Sequence, residues 1–370
     1  MKLRFESVRR ACLAGVQEGA APGLVLGVWS EGQVLFQQAF GSRQLVPRTL
    51  PVQPDTVYDV ASITKAVVTS VLCMQEAASG RLRLDAPVVD SLPEMAGAGR
   101  QAITWRHLLA HASGLPAHQP FWRRVAGAPS GRLAIAQLAA REPLTHPPAS
   151  RAVYSDLGFI LLGWWLERST GRRLDDLFAA RVAAPLSLAS ARFVSLAEPE
   201  TRAELLATRS VAATQVCAER HRLLLGEVDD LNAAAMEGIA GHAGLFSDAA
   251  DLLAIARALT AAWRGEGAEL AARDAVREFW TPSDVPGSTW RLGWDGPAPS
   301  GSQAGERFSR AGVGHLGFTG CSIWIDPARD LTIVLLSNRV HPAVPADDRF
   351  RRFRPALHDA VLEALGYDCR

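Results

Sequence analysis

A serine and a lysine three positions apart carry the strongest chemical signal in this 370-residue chain. Of its 39 basic residues only Lys2 and Lys65 are lysines, and the rest are arginines. An arginine stays protonated at any accessible pH, whereas a desolvated lysine amine can become neutral near pH 7. The interior Lys65 therefore predicts a general base, and Ser62 is the nucleophile that it would activate.

The residues after Lys65 predict how this pair is held. Residues 66–74 are mostly apolar and indicate a buried helix, on which Lys65 would not be a solvated surface cation. Residues three apart share a helix face, so the Ser62 hydroxyl would lie beside the Lys65 amine. The first turn also lies near the positive end of the helix dipole, which favours an oxyanion. The alternative is that Ser62 only caps the helix and Lys65 is a buried structural cation.

Two further segments could complete a site. Tyr154 lies between a loop at 145–148 and a helix that starts near Leu157, where a phenol could pass a proton to a leaving group. The alternative is that Tyr154 only packs its ring at the boundary between two subdomains. The Gly-rich segment 315–320 would let a backbone amide approach a developing oxyanion, and its alternative is a turn with an exposed His315.

Composition limits the classes of function. The chain is 48% hydrophobic and 21% charged with a net charge of +1, as in an ordinary globular protein, and it lacks the basic block typical of nucleic-acid binding. Residues 1–10 are too charged for a signal peptide, and no run of about 18 apolar residues indicates a membrane span. We expect a cytoplasmic protein without disulfides, because its cysteines are odd in number and show no close pairing: Cys12, Cys73, Cys217, Cys321 and Cys369.

Periodicity predicts an α+β fold with strands near both ends of the chain. The predicted strands are 24–30, 34–40, 321–326 and 331–337, and the predicted helices are 5–20, 130–141, 157–169, 175–182, 249–263 and 356–365. We expect one domain over 1–370, with an α/β part at about 1–85 and 275–370 and an inserted all-helical part at about 86–274. A site would lie in the cleft between the two parts.

Other kinds of site have little support. His107 and His111 are four apart, as zinc ligands on a helix are, but no Glu follows His107 and no third ligand is evident. A Gly-x-Ser-x-Gly nucleophile elbow and a phosphate-binding glycine loop are both missing. We therefore expect neither a metal nor a cofactor.

Taken in order, several segments resemble the serine β-lactamase and penicillin-binding protein superfamily, in particular its class C β-lactamase-like branch. The segments are Ser62-Ile63-Thr64-Lys65, 80–85, 103–109, 111–116, Tyr154-Ser155-Asp156 and 241–246. The resemblance implies an antiparallel sheet of five or more strands flanked by helices, and a bacterial hydrolase that forms an acyl-enzyme without a cofactor. The branch also contains D-peptidases, esterases and muropeptide amidases.

The resemblance also assigns roles residue by residue. It implies Ser62 as nucleophile, Lys65 as base or proton relay, and Tyr154 as partner base and acid. The backbone amides of Ser62 and Phe318 would form the oxyanion hole.

Two departures from the family pattern affect substrate binding. Asp156 replaces the usual Asn, and its charge would keep Lys65 in the ammonium form and shift the base role toward Tyr154. His315-Leu316-Gly317 replaces Lys-Thr-Gly, so a weaker, pH-dependent cation and a leucine without a donor would face the substrate's anionic end.

These departures leave several substrates open. Antibiotic hydrolysis is disfavoured as the main activity, and the variant triplets with 337–342 look more like amidases that cut N-acetylmuramic acid from its peptide. The alternatives are an N-acetylmuramoyl-L-alanine amidase or D-peptidase of cell-wall recycling, a true β-lactamase and a non-catalytic penicillin-binding sensor. The sequence predicts a small-molecule or muropeptide substrate and no nucleic-acid or membrane partner, and it leaves the oligomeric state open.

Overall fold

The structure is a computed structural model that describes residues 4–97, 99–126 and 130–367. Its strands are β1 (Gly23–Ser30), β2 (Gln33–Gln44), β3 (Leu50–Pro51), β4 (Tyr58–Asp59), β5 (Arg192–Phe193), β6 (Ala213–Cys217), β7 (Arg222–Leu225), β8 (Leu245–Ser247), β9 (Val313–Leu316), β10 (Ser322–Asp326) and β11 (Leu331–Ser337).

The main sheet has six strands in the order β3-β2-β1-β11-β10-β9, and every neighbouring pair is antiparallel. Both faces are covered. On β1, Leu24 and Leu26 belong to the same buried cluster as Leu357 of the last helix, whereas Val25 on the opposite face belongs to the cluster that contains Leu252. Because successive side chains enter two different cores, the strand is a continuous apolar run rather than an alternating one. The antiparallel sheet predicted from the two ends of the chain is confirmed.

The helices surround this sheet and fill the middle of the chain. They are α1 (Glu6–Gln17), α2 (Val71–Ala78), α3 (Trp105–Leu109), α4 (Gly131–Arg141), α5 (Asp156–Thr170), α6 (Leu174–Phe178), α7 (Pro199–Thr208), α8 (Leu231–Ala235), α9 (Ala249–Arg264), α10 (Arg273–Phe279) and α11 (Arg349–Ala364). Two π-helical segments, Lys65–Ser70 and Ala179–Ala183, and three 3-10 turns, Val88–Asp90, Pro93–Met95 and Phe121–Arg123, complete the regular structure.

Two predictions about elements need correction. The last helix starts at Arg349 and not near residue 356, so Pro355 lies inside it. The buried side chains of Phe350, Arg354 and Leu357 recur at helical spacing, and their packing outweighs the proline. The segment 86–274 is not all-helical, because it contains β5 to β8. These strands have two to five residues, too few for a period of two to stand out in an Ala- and Leu-rich sequence.

Two further findings concern the environment of the chain. No helix within the described residues has both the length and the apolar character needed to cross a bilayer. Cys12, Cys73, Cys217 and Cys321 are buried free thiols. Cys369 lies outside the described residues.

Candidate active site

Ser62 lies in a tight turn between β4 and the π-helical segment Lys65–Ser70. Ala61, just before it, has a φ of 49°, in the left-handed region that a non-glycine residue rarely adopts. The Asp59 carboxylate stabilises this turn by accepting a hydrogen bond of 2.9 Å from the Ala61 backbone amide. Backbone strain held by specific bonds is common at functional sites, and here it presents the Ser62 side chain to a cleft.

Lys65 is fully buried behind this serine, and three acceptors surround its amine. Nζ lies 2.9 Å from Ser62 Oγ, 2.9 Å from the His242 carbonyl oxygen and 2.8 Å from Asp156 Oδ1. A protonated lysine has three donors and no acceptor, so the site matches an ammonium group. The structure thus brings together the serine and lysine that the sequence singles out, and it adds Asp156 to them.

The charge of Lys65 follows from two opposing effects. Burial lowers the pKa of its amine, whereas the Asp156 carboxylate and the Tyr154 phenol raise it, and the balance lies above the ordinary value. Asp156 responds in the opposite direction: burial raises the pKa of its carboxyl, but the Lys65 charge, together with His118 and His242, lowers it by more. Burial alone would give the neutral amine expected from the apolar helix. Asp156 reverses this, and the resting amine is charged.

Tyr154 lies next to the same pair, with its ring centroid 4.9 Å from Lys65 Nζ. Its ring centroid is 4.8 Å from that of His111 and 5.5 Å from that of Trp290, and its phenol interacts with both Lys65 and Ser62. Burial raises the pKa of Tyr154 more than the Lys65 charge lowers it, so the phenol is protonated near pH 7. Ser62, Lys65 and Tyr154 therefore form one contact group in which every member holds a proton.

The second wall of the site is the turn at 317–320, which follows β9. Gly317 permits its close approach, because a Cβ there would lie 2.5 Å from the Val60 carbonyl oxygen. Thr319 Oγ1 donates to the Asp59 carbonyl oxygen at 2.8 Å. Asp59 thus holds the Ser62 turn with its side chain and the 317–320 turn with its backbone.

The two backbone amides that the resemblance assigns to the oxyanion hole are available to a ligand. Within residues 4–97, 99–126 and 130–367, neither the Ser62 nor the Phe318 amide donates to a protein acceptor. Ser62 and Phe318 both line the same cleft. An oxyanion that formed at Ser62 could therefore meet unpaired N–H donors.

His315 differs from the expectation of a pH-dependent cation. Its Nδ1 lies 2.8 Å from the Leu316 carbonyl oxygen, and since a carbonyl only accepts, Nδ1 carries the hydrogen. Nε2 is then an acceptor, and it is buried without a partner among the described residues. Burial, and then the Lys65 charge, lower the pKa of His315 to about 3. The imidazole is neutral near pH 7 and can accept a hydrogen bond, but it cannot pair with a carboxylate.

Several residues of the site were not singled out from the sequence. His118 Nδ1 lies 3.3 Å from Asp156 Oδ2, and this contact is the largest cause of a raised pKa of His118. Trp290 packs against both His111 and Tyr154. Trp290 falls in a stretch that reads as a surface loop, where only its large apolar side chain could have signalled a role.

The two histidines considered as zinc ligands serve the backbone instead. His107 Nδ1 accepts from the Thr104 amide, and His111 Nδ1 accepts from the Ser155 amide. No cluster of three or more potential metal ligands occurs within the described parts of the chain.

The cleft in front of Ser62, called the Ser62 cleft below, has a volume of about 1100 Å³. Aromatic side chains and several charged groups line it, including Trp122, Trp290, Phe318, Phe350, Asp229, Asp230, Arg339, Arg351 and Arg354. This volume is sufficient for a ligand of peptide size.

Comparison with known proteins identifies the family. The Beta-lactamase family model matches residues 8–357, so the chain belongs to the beta-lactamase family and is a hydrolase of that family. A putative D-alanyl-D-alanine carboxypeptidase of Escherichia coli strain K12 is 29% identical, with 87% of this chain and 80% of the relative covered. An N-acetylmuramyl-L-alanine amidase of Bacillus subtilis strain 168 is 30% identical, with coverages of 87% and 78%. The family resemblance seen in the motifs is confirmed.

Solved structures agree with the fold. The octameric penicillin-binding protein homologue from Pyrococcus abyssi has a TM-score of 0.75 at 21% identity, with 98% of this chain and 77% of that chain covered. The hydrolase EstCE1, described as having promiscuous acyltransferase activity, has a TM-score of 0.75 at 21% identity, with coverages of 97% and 98%. At this level of identity the likeness concerns the fold, and it confirms the predicted β-lactamase and transpeptidase architecture.

Proposed function

We propose that this chain is a serine hydrolase of the class C β-lactamase-like branch that cleaves an amide or ester through an acyl-enzyme on Ser62. The observation that supports this most directly is the 2.9 Å contact between Ser62 Oγ and the buried Lys65 amine. Burying a charged lysine costs free energy, and a purely structural cation would have no need of the contact with a serine of the cleft. The Tyr154 phenol beside both groups adds a second proton carrier.

In the proposed acylation step, the proton balance begins from charged Lys65 and Asp156. Because the pKa of Asp156 is lowered and that of Lys65 is raised, Lys65 reaches its neutral form by releasing one proton to solvent, and Asp156 stays ionised 2.8 Å away. The neutral amine then takes the Ser62 proton, directly or through Tyr154, while Oγ bonds to the substrate carbonyl carbon. The backbone amides of Ser62 and Phe318 donate to the oxyanion. As the bond to the leaving group breaks, the same relay returns the proton to that group.

Deacylation reverses these roles. Water bonds to the acyl carbon and gives its proton to the Lys65 and Tyr154 relay, and Ser62 Oγ receives the proton as it leaves. Both half-reactions use the same donors and acceptors, so no metal or cofactor is invoked. His315 Nε2, an acceptor without a protein partner among the described residues, would receive a hydrogen bond from a substrate N–H.

The proposed substrate is an amide or ester of a cell-wall peptide. The two curated relatives are named for hydrolysis at D-alanine and at N-acetylmuramyl-L-alanine, which supports this class for the present chain. The neutral state of His315 and the apolar Leu316 disfavour the antibiotic carboxylate that a Lys-Thr pair would bind. The buried free thiols support the cytoplasmic location proposed from the sequence.

Covalent labelling tests the proposal. Purified protein is incubated with a fluorophosphonate, and peptide mass spectrometry is expected to locate the adduct on Ser62. In parallel, kcat/KM is ranked for nitrocefin, p-nitrophenyl esters, D-Ala peptides and muramyl peptides. Ser62→Ala is expected to abolish both labelling and turnover, whereas Ser91→Ala, at an exposed turn, keeps both. Labelling by penicillin without turnover of any substrate would favour a sensor, and unchanged hydrolysis by Ser62→Ala would refute the nucleophile.

A further inference from the structure

His111 lies in the segment that follows α3, and its backbone has an unusual conformation. Its φ is 55°, in the left-handed region that a non-glycine residue rarely adopts, and only 1% of its surface is exposed. Tyr154 lines the Ser62 cleft, whereas His111 is not part of the cleft wall. A conformation of this kind persists only where the surroundings fix it, and it is common at functional sites.

His111 accepts hydrogen bonds from the residues on both sides of Tyr154. The Val153 amide donates to the His111 carbonyl oxygen at 2.8 Å, and the Ser155 amide donates to His111 Nδ1 at 3.0 Å. Both chain neighbours of Tyr154 are thus bonded to a single residue that is distant in the sequence. The position of the Tyr154 backbone depends on that residue.

The imidazole ring of His111 also contacts the Tyr154 side chain. The two ring centroids are 4.8 Å apart, and Trp290 packs on both rings, at 4.4 Å from His111 and 5.5 Å from Tyr154. The three rings form one packed group, so a change at His111 affects the orientation of the phenol as well as its backbone.

The bond to Ser155 fixes the form of the imidazole. Because Nδ1 accepts a hydrogen bond from an amide, it carries no hydrogen, and the single ring hydrogen is on Nε2. Protonation of Nδ1 would break this bond. Burial, and then the Lys65 charge, lower the pKa of His111 well below its ordinary value, so the ring stays neutral and the bond persists near pH 7.

From these contacts we propose that His111 is a positioning residue that sets the place of the Tyr154 phenol relative to Ser62 and Lys65. The inference rests on the proposed function, in which Tyr154 carries a proton between these groups. His111 acts in two ways, through the acceptors that it offers to the flanking amides and through the ring that packs on Tyr154. Catalysis depends steeply on this placement, because a displacement of about 1 Å can lower a rate by about 10²-fold.

Two substitutions separate the acceptor from the ring. His111→Asn offers a side-chain oxygen to the Ser155 amide, and Asn tolerates a positive φ. His111→Phe retains an aromatic ring but leaves that amide without its acceptor. In the steady-state hydrolysis of a p-nitrophenyl ester, His111→Phe is expected to lower kcat by about tenfold to 10²-fold with little change in KM. His111→Asn is expected to keep more of the wild-type kcat, and the reverse order would contradict the role of Nδ1.

The matched control is His107→Phe. His107 Nδ1 also accepts a backbone amide, that of Thr104 at 3.2 Å, but in a turn that does not flank Tyr154. This variant is expected to keep the wild-type kcat, and thermal unfolding shows whether each variant is folded. If His111→Phe does not fold, His111→Ala replaces it in every measurement.

A double variant tests whether His111 acts through the phenol. His111→Phe combined with Tyr154→Phe is expected to lower kcat no further than Tyr154→Phe alone, because both changes remove the same contribution. The position of the phenol is then measured without turnover. A crystal structure of His111→Phe is expected to show the Tyr154 oxygen displaced from Ser62 and Lys65 by about 1 Å, and one of His107→Phe is expected to show it in place.

Three results would overturn the inference. They are a wild-type kcat in folded His111→Phe, a further loss of kcat of equal size in the Tyr154→Phe background, and a phenol that does not move in the His111→Phe structure. A failure of the proposed function is a separate result, since it shows as unchanged hydrolysis by Ser62→Ala whatever the position of the phenol.

Discussion

Lys65 and Arg354 are both buried cations beside the Ser62 cleft, but among the described residues only Lys65 has a carboxylate within 4 Å. Lys65 lies 2.8 Å from Asp156 Oδ1, and the pKa of its amine is raised. Arg354 donates to neutral oxygens, and its pKa is lowered to about 10. The two environments differ less in burial than in the charge that faces each cation.

This difference assigns the two cations different work. Lys65 contacts a serine and a carboxylate and lies near a phenol, so a proton can pass between its amine and these groups. The charge on Arg354 has no route to another protein group, because an arginine does not release its proton at accessible pH. A lysine beside a carboxylate can take part in proton transfer, whereas the buried arginine cannot.

The largest effect is expected when Lys65 is replaced by an arginine, the residue type of the second cation. Lys65→Arg retains a positive charge near Asp156 but removes the group that can release a proton. We expect kcat to fall by about 10³-fold or more, because acid–base catalysis of this kind contributes about 10² to 10⁴. Steady-state hydrolysis of a p-nitrophenyl ester measures it.

A control is needed because a guanidinium is larger than an amine. Lys65→Met removes the charge at similar length, and thermal unfolding reports whether either variant is folded. If a folded Lys65→Arg retained a tenth of wild-type kcat, proton transfer by Lys65 would be contradicted.

Tyr154→Phe tests the second proton carrier and is expected to have a smaller effect. The ring would keep its packing on His111 and Trp290, and only the phenol oxygen is lost. We expect kcat to fall by about 10²-fold while the unfolding temperature changes little. A matched control is Tyr58→Phe, which removes another buried phenol, one without a hydrogen-bond partner among the described residues. Equal kinetic effects of the two changes would argue against a relay through Tyr154.

Asp156→Asn sharpens the comparison by removing the anion beside Lys65. The carboxylate raises the pKa of the Lys65 amine, so its removal should lower that pKa, and a larger fraction of neutral amine would then be present at pH 7. We expect the rise of kcat/KM with pH to move toward lower pH by about one pH unit or more, with a gain of about tenfold near neutrality for each pH unit that it moves. A profile that stays in place would contradict the assigned role of Asp156.

How much of this site the sequence could predict depends on the range of the contacts. Ser62 and Lys65 are three residues apart, so helix geometry alone brings them together, and the scarcity of lysine singles one of them out. The charge state of Lys65 depends on Asp156, which is 91 positions away, and its effect could be anticipated only through the family pattern. Asp59 was missed, because its partner Thr319 lies 260 positions along the chain.

Whether an element of the fold could be predicted also depends on the range of its contacts. Long apolar strands such as β1 and β11 carry their own signal and were predicted within a few residues. The two-residue strands β4 and β5 exist because β8 pairs with both, and no local pattern records that pairing. The lack of a carboxylate within 4 Å of Arg354, among the residues that the structure describes, was equally hidden, since it depends on where the acids of the folded chain lie.

The smallest expected effect concerns Asp59, a buried acid that forms no ion pair within the described parts of the chain. Burial, and then the Asp229 charge, raise the pKa of its carboxyl to about 7. Between the unfolded value of about 3.9 and about 7, the folded state therefore holds more protons than the unfolded state. The contribution of Asp59 to stability should fall as pH rises through this window. Urea unfolding of wild type and Asp59→Asn should show a difference in free energy that changes between pH 4 and 7, and a constant difference would contradict a raised pKa.

The most direct measurement of the charge on Lys65 uses the scarcity of lysine. Protein labelled with ¹³C at lysine Cε should give two side-chain resonances, and Lys2→Arg assigns the one from Lys65. We predict that the Lys65 resonance titrates above the ordinary lysine pKa of about 10.4 in the wild type and at a lower pH in Asp156→Asn. A wild-type Lys65 that titrates near pH 7 would contradict the claim that Asp156 holds the resting amine as an ammonium.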